Sequence, residues 1–329
     1  MFADTLLAWY EENRRSLPWR GESDPYKIWV SEIILQQTRV QQGWDYYLRF
    51  IGTFPTVEAL AGAPEEQVLR VWQGLGYYSR ARNMHAAAQQ IMKTHGGTFP
   101  NRYEEIRSLK GVGDYTAAAI SSIAFHLPYP AVDGNVLRIC SRIFGICDDI
   151  ALPTTRKTVT NICLKHIPAR NPGDFNQACM EFGAVWCTPK NPKCEECPFA
   201  GQCYALKHDM VETLPIKSNK ITKRKRYFHF NFYVYNNSTI IEKRTGNDIW
   251  RNLYQFPMQE SLKPSHIGDS AKIMELKEIL THQVIHGFFY LKKLEKKPEL
   301  AGNQLLVPLD QLHNYPMPKI MTQFFDKMS

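Results

Sequence analysis

The sequence predicts a mainly α N-terminal domain joined to a smaller α+β C-terminal domain, and three observations carry that reading. Segments with apolar residues at helical spacing recur through the first 208 residues, separated by Gly or Pro breaks. After Tyr204 the composition changes, and residues 215–226 are polar and basic, which suits a connector. Next comes Tyr227-Phe228-His229-Phe230-Asn231-Phe232-Tyr233-Val234-Tyr235, aromatic and β-branched, then Asn236-Asn237-Ser238 and Thr239-Ile240-Ile241, which reads as strand, turn and strand. The boundaries follow as a helical domain over 1–208, a connector over 209–226 and a second domain over 227–329.

At 329 residues the chain is long enough for two separate cores. In the first part, Ala63 to Trp72 opens with Pro64, Glu65 and Glu66 and continues at helical spacing. Arg80 to Lys93, Thr116 to Phe125 and Asp133 to Phe144 repeat the pattern, and short helices with short loops make an all-α domain. In the second part the pattern predicts a helix near Ala271–Ile279 and a strand near Phe288–Leu294. There is no internal repeat and no low-complexity tract.

No run of 18 or more apolar residues is present, and Met1-Phe2-Ala3-Asp4 begins no basic-then-apolar leader. A cytosolic, monomeric chain with no membrane association is therefore expected, its eight cysteines reduced or bound to metal. The formal net charge is +8. Residues 1–208 hold 22 Lys/Arg against 20 Asp/Glu, whereas 209–226 hold six against two. Nucleic acid is a plausible partner on that balance, but a basic connector is equally an ordinary solvated segment. A specific grip must come from local devices.

The most informative local device is Leu109-Lys110-Gly111-Val112-Gly113-Asp114-Tyr115-Thr116-Ala117. Gly111 and Gly113 allow a tight turn, and the helix that follows points free amides and its positive dipole end outward, a ready phosphate site. Asp133, before Gly134-Asn135-Val136, lies one helix and one Pro-containing loop (Pro128, Pro130) later, which returns it near that end. On local grounds Asp133 is an N-cap, a role compatible with chemistry at the same carboxylate.

Cys187, Cys194, Cys197 and Cys203 form C-x6-C-x2-C-x5-C, with Pro189, Pro192 and Pro198 stiffening the loops. Four thiolates in so short a window can close around one metal centre, and zinc is the generic reading. Lys190 and Lys193 sit in the first cysteine loop, where a phosphate contact or a solvated lysine would both fit. Cys140, Cys147, Cys163 and Cys179 fall in apolar helical segments and read as small buried residues. Glu32 falls between Trp29 and Leu35 in a segment apolar nearly all round, so its carboxyl should be partly desolvated and its pKa raised. A proton held near neutral pH is what a general acid needs.

With the glycine hairpin, the distal aspartate and the four cysteines in place, the chain resembles the helix-hairpin-helix DNA glycosylase superfamily, endonuclease III-like, and within it the MutY family of adenine DNA glycosylases. The resemblance extends over Leu17-Pro18-Trp19-Arg20, Trp29 to Thr38, Gly74-Leu75-Gly76-Tyr77-Tyr78-Ser79-Arg80-Ala81-Arg82-Asn83, the hairpin and the cysteines. It implies removal of adenine mispaired with 8-oxoguanine in double-stranded DNA, and one 4Fe-4S cluster on the four cysteines rather than zinc. It implies Glu32 as the acid on adenine N7 and later the base for water, Asp133 as the carboxylate facing the sugar, and Asn135 as an orienting group. Bifunctional relatives carry a lysine just before the Thr-Ala of the hairpin helix. Tyr115 stands there in this chain, so hydrolysis without strand cleavage is expected. Reaching adenine requires base flipping. Gln37, Thr38 and Tyr77 match positions that probe or wedge the duplex, and Arg20, Leu35 and Glu181 match positions around the flipped base.

The C-terminal part resembles the Nudix-like domain that reads 8-oxoguanine in this family. A Nudix box is absent, because Asp269, Glu275 and Glu278 do not form its Glu-rich helix, so pyrophosphatase activity is not expected. Relatives carry a His-x-Phe-Ser-His element whose serine bonds the oxidised guanine. This chain has His282-Gln283-Val284-Ile285-His286, which keeps both histidines and loses the hydroxyl. A bifunctional glycosylase/lyase and a non-catalytic hairpin protein with a structural cluster are the competing readings. Tyr115 and Glu32 argue against the lyase.

Overall fold

The computed structural model describes residues 2–218, 222–263 and 271–328. Contacts divide it into two compact units, Met1–Ala61 with Ala86–Asn219 and Gly62–His85 with Lys220–Ser329. In chain order the helices are α1 (Phe2–Asn13), α2 (Pro25–Leu35), α3 (Val40–Thr53), α4 (Val57–Gly62), α5 (Glu65–Trp72) and α6 (Ser79–His95). They continue as α7 (Tyr103–Arg107), α8 (Asp114–Phe125), α9 (Gly134–Phe144), α10 (Pro153–His166), α11 (Pro172–Val185) and α12 (Tyr204–Lys207). No helix of the described residues is long and apolar enough to cross a membrane.

The first unit is helical. Its core joins Leu6 and Trp9 of α1, Leu137 and Ile139 of α9, and Phe175 and Phe182 of α11. Three helices matter most for the site. α2 begins at Pro25, whose missing N–H is no loss at a first helical position, and Asp24 caps it by accepting from the Tyr26 N–H at 2.9 Å. Ile28, Trp29, Val30, Ile33 and Ile34 are all buried, so α2 threads the unit. α8 starts at the hairpin, where Gly111 takes φ +78. Gly113 does not share that need: it is the extended N-cap, with φ −99, a conformation open to any residue. α9 starts at Asp133, which accepts from the Val136 N–H at 2.8 Å as expected of an N-cap.

Cys140, Cys163 and Cys179 are buried, but Cys147 is exposed. It lies beyond the end of α9 at Phe144, past the left-handed cap Gly145, so the buried face of that helix no longer covers it.

The second unit holds strands β1 (Arg224–Tyr235), β2 (Ser238–Lys243), β3 (Tyr254–Gln255), β4 (Met258–Ser261), β5 (Ala271–Ile279), β6 (Gln283–Lys293) and β7 (Gln304–Pro308), then helix α13 (Lys319–Met328). The sheet order is β3-β2-β1-β6-β5, with β4 also on β1 and β7 also on β2. β1 and β6 are parallel, in register from Arg224↔Gln283 to Val234↔Lys293. Phe324 of α13 packs on Phe232, Phe256 and Phe289. Helix α5 and the segment after it belong to this unit although they precede it by more than a hundred residues.

Three expectations change here. Residues 271–279 form strand β5, not a helix, paired antiparallel to β6 from Ala271↔Leu291 to Ile279↔Val284. Ala, Met, Glu, Leu and Lys favour helix locally, but the free edge of β6 supplies a ladder, and that tertiary partner outweighs propensity. β6 also begins at Gln283, earlier than Phe288, which puts Val284, Ile285 and His286 inside a strand. β1 begins within the expected connector: Arg226 is buried and bonded to both Asp248 and Glu260, at 2.7 and 2.6 Å, so the last basic residue there is not solvated, while Arg224 and Lys225 stay exposed. Asp269 lies outside the described residues.

Candidate active site

A cavity of about 460 Å³ opens in the first unit, within the usual range of ligand pockets. Glu32, Leu35, Gln37, Thr38, Tyr115, Asp133, Asn135, Arg20 and Glu181 all line it. Nine residues selected in the sequence, spread from position 20 to 181, therefore converge on one cavity. α2 contributes Glu32 and Leu35, α8 contributes Tyr115, the start of α9 contributes Asp133 and Asn135, and α11 contributes Glu181.

The electrostatics differ from one carboxylate to the next. Burial pushes Glu32 up to about 7; a hydrogen bond with Tyr115 and the charge of Arg20 oppose the rise, and Asp133 adds to it. Burial also lifts Asp133 above the ordinary aspartate value, held back by the Val136 N–H and the Asn135 amide, which donates at 2.8 Å. Glu181 goes the other way. Its burial penalty is outweighed by Arg15, bonded through Nε at 2.5 Å and its terminal nitrogen at 2.9 Å, and by Arg20 at 2.9 Å, so it stays below the usual range. With both oxygens occupied, Glu181 orients the two arginines rather than moving a proton.

Arg20 is fixed further by a hydrogen bond to Gln177 and lies 5.5 Å from the Tyr10 ring. The Tyr115 hydroxyl also reaches the Met180 sulfur at 2.9 Å. Gln36 donates to Thr116 at 3.2 Å, tying the end of α2 to the hairpin helix. Gln37 holds φ +58 directly after it, exposed at the cavity mouth.

Behind Asp133 runs a polar chain that the sequence reading missed. Arg138 donates to Asn135 at 2.8 Å and to the Cys187 carbonyl at 2.9 Å, and also bonds the Gly183 carbonyl. One turn on, Arg142 donates to the Thr188 carbonyl at 2.7 Å and lies 3.4 Å from the Cys187 sulfur. Gly183 permits the approach, since a Cβ there would stand 2.6 Å from that of Asn135. Both arginines are buried on α9. Two arginines four apart on an apolar helix were the available signal, because guanidinium groups are seldom buried without fixed acceptors.

Cys187, Cys194, Cys197 and Cys203 line one small pocket with Phe182, Trp186 and Arg142. No three His, Cys, Asp or Glu side chains among the described residues close on the spacing of a single metal ion. Four thiols lining one pocket form a donor set of the kind that ligates an iron-sulfur cluster. Lys193 places its ammonium 4.6 Å over the Trp186 ring, so that loop lysine is engaged by the protein. The Lys190 carbonyl accepts from Thr188 at 2.8 Å.

The remaining selected residues lie outside the cavity lining. Gly111 and Gly113 form the hairpin of the first unit. Tyr77, φ +48 and 41% exposed, belongs to the second unit. There too, His286 stacks on Tyr227 at 5.1 Å with its Nε2 buried and unbonded, while exposed His282 offers its carbonyl to the Arg224 N–H at 2.9 Å. Ile285 is fully buried.

Residues 30–168 match the HhH-GPD superfamily of base excision DNA repair proteins, and residues 187–203 match the iron-sulfur binding domain of endonuclease III. The chain is similar to the adenine DNA glycosylase of Buchnera aphidicola subsp. Acyrthosiphon pisum (strain APS), 38% identical over 258 residues, covering 78% of this chain and 74% of that protein. With the adenine DNA glycosylase of Mus musculus it shares 42% identity over 213 residues, 62% of this chain and 41% of that one. Among solved structures, a thermostable thymine-DNA glycosylase superposes with TM-score 0.58 at 28% identity, over 63% of this chain and 95% of that one. A trapped endonuclease III–DNA covalent intermediate superposes with TM-score 0.55 at 23% identity, over the same 63% and 95%, a likeness of fold.

Proposed function

The chain belongs to the adenine DNA glycosylase family, enzymes of base excision repair, and on that premise we propose that it hydrolyses the N-glycosidic bond of adenine mispaired with 8-oxoguanine or guanine in duplex DNA and stops at the abasic site. One observation carries the proposal: a carboxyl with a pKa of about 7, Glu32, shares a cavity wall with a second carboxylate and a tyrosine hydroxyl.

The flipped adenine occupies the cavity, with Arg20 and Leu35 at its walls. Glu32, protonated near neutral pH, donates to adenine N7 and makes the base a neutral leaving group. The C1′–N9 bond breaks with its electron pair going to N9. Asp133 stabilises the cationic sugar from the start of α9, where Asn135 holds its carboxylate. Ionised Glu32 then takes a proton from the water that adds to C1′. Among the described residues no lysine lines the cavity, so none of them places an amine to form a Schiff base with the sugar. That supports hydrolysis without strand cleavage.

Cys187, Cys194, Cys197 and Cys203 would hold one 4Fe-4S cluster, which when bound cross-links residues 187–203. The hairpin at Gly111 and the amide end of α8 bind the DNA backbone. The α+β unit serves as a Nudix-like domain that reads the base opposite adenine. The test is Glu32→Gln on duplexes carrying A opposite 8-oxoguanine. Adenine release is abolished while duplex affinity stays within a few-fold of wild type; unchanged release overturns the proposal.

A further inference from the structure

Residues 62–85 interrupt the helical unit in sequence, yet they are built into the unit that carries the C-terminal sheet. The attachment is polar and directional. Glu66 accepts from Lys243 at 2.6 Å and from the Tyr254 hydroxyl at 2.8 Å. Glu65 accepts from Asn252 at 2.5 Å, and Arg82 donates to the Arg251 carbonyl at 2.9 Å. At the loop that follows α5, the buried Tyr78 hydroxyl donates to the Met317 carbonyl at 3.1 Å, and the Met317 N–H donates to the Gln73 side chain at 3.1 Å.

Between those two ties lies a strained segment. Gly74 and Gly76 take φ +97 and +73, and Tyr77 itself takes φ +48, which a bulky side chain rarely adopts. Such a conformation persists only where the surroundings over-determine it. Here they do. The Gly76 carbonyl accepts from Trp72 Nε1 at 3.1 Å and from Arg80 at 3.2 Å. The Arg80 guanidinium sits 5.2 Å from the Trp72 ring and 5.5 Å from the Tyr77 ring. The Gly74 N–H donates to the Tyr78 hydroxyl at 3.4 Å. The outcome is an aromatic ring, 41% exposed, on a loop clamped from both sides.

We propose that the Tyr77 loop and the C-terminal sheet form a single reading head for duplex DNA, in which Tyr78 is the positioning residue that fixes the Tyr77 ring relative to the sheet. This rests on the reading that Tyr77 enters the duplex and that the C-terminal unit meets the strand opposite adenine. A wedge on an independent loop would pay its ordering entropy separately. Carried on the same body as the sheet, it enters the base stack as part of one docking event, and unstacking is coupled to inspection of the opposite base.

The experiment is a double-mutant cycle of Tyr78→Phe and Tyr77→Ala in the full chain, with Gln73→Leu as an independent break at Met317. Two readouts are taken on a duplex with A opposite 8-oxoguanine: the enzyme concentration giving half-maximal single-turnover excision, and the fluorescence of a 2-aminopurine beside the 8-oxoguanine. Tyr78→Phe and Gln73→Leu each raise the half-maximal concentration about fivefold, the worth of one neutral hydrogen bond, and reduce the unstacking signal, with the saturated rate unchanged. In the Tyr77→Ala background neither has a further effect. Additive losses in that background would show a packing role only and overturn the inference. So would wild-type behaviour of both Tyr78→Phe and Gln73→Leu while Tyr77→Ala is impaired, which leaves the wedge reading standing. Normal unstacking by Tyr77→Ala itself would remove the wedge reading and the inference with it.

Discussion

The Tyr115 hydroxyl and the Glu32 carboxyl line one cavity from different helices and shift each other's proton affinity. The hydroxyl opposes the burial that raises the Glu32 pKa, so Tyr115 tunes the group whose environment it shares. Burial and the Glu32 charge in turn hold the Tyr115 hydroxyl well above the usual tyrosine value, which keeps it a donor at any physiological pH.

That pairing predicts a pH profile. Single-turnover excision is highest below pH 7 and falls about tenfold per unit above it, as Glu32 loses the proton it must donate. Tyr115→Phe removes an interaction that lowers the Glu32 pKa, so the alkaline limb moves to higher pH. A limb that stays in place shows that another group controls it.

The same burial predicts a stability effect of opposite sign to the activity effect. Glu32 has a folded pKa of about 7 against an ordinary value of 4.5, so the folded state binds the proton more tightly. Stability relative to a neutral side chain is unaffected below pH 4.5, declines from there to pH 7, and stays reduced above it. Glu32→Gln therefore stabilises the protein by roughly 3 kcal/mol at pH 8 and by almost nothing at pH 4.5. Thermal melts at the two pH values check this.

Tyr115→Lys places an amine where no lysine lines the cavity. Borohydride then traps the variant covalently on DNA carrying an abasic site, whereas wild type leaves no covalent product. Trapping by wild type defeats the monofunctional reading.

Arg138 joins the Asp133–Asn135 pair to the Cys187 backbone, so Arg138→Met breaks two functions at once. Losing hydrogen bonds from a charged donor costs about 1.5–3 kcal/mol each. The excision rate falls tenfold or more, and the visible absorbance of the iron-sulfur cluster is lost faster on heating. An unchanged rate would confine Arg138 to packing.

Ile285→Ser tests the lost serine directly. Ile285 is fully buried in β6, so the hydroxyl enters a core rather than a surface that meets DNA. The variant loses about 3 kcal/mol of stability with no gain in preference for 8-oxoguanine over guanine. A gain in preference would show that position 285 of β6 does meet the oxidised guanine, against its burial.

Local signals were legible where chemistry and geometry are set within a few residues. The Asp133 cap and the spacing of Cys187 to Cys203 follow from hydrogen bonds and ligand distances inside short windows. Gly111 needed its left-handed turn, but Gly113 did not, since only the backbone path shows which glycine turns. Residues 271–279 carry a helical composition that yields to the edge of β6.

By itself the sequence determined the helical segments of the first unit, the cysteine window and a set of candidate side chains, because each depends on neighbours in the chain. Tertiary structure decided their relations. It buried Glu32 and set it near Asp133, and so lifted its pKa; it also paired Arg15 with Glu181 and attached the Tyr77 loop to the C-terminal unit. Desolvation and ion pairing depend on which distant surfaces meet, and helical periodicity carries no information about that partner.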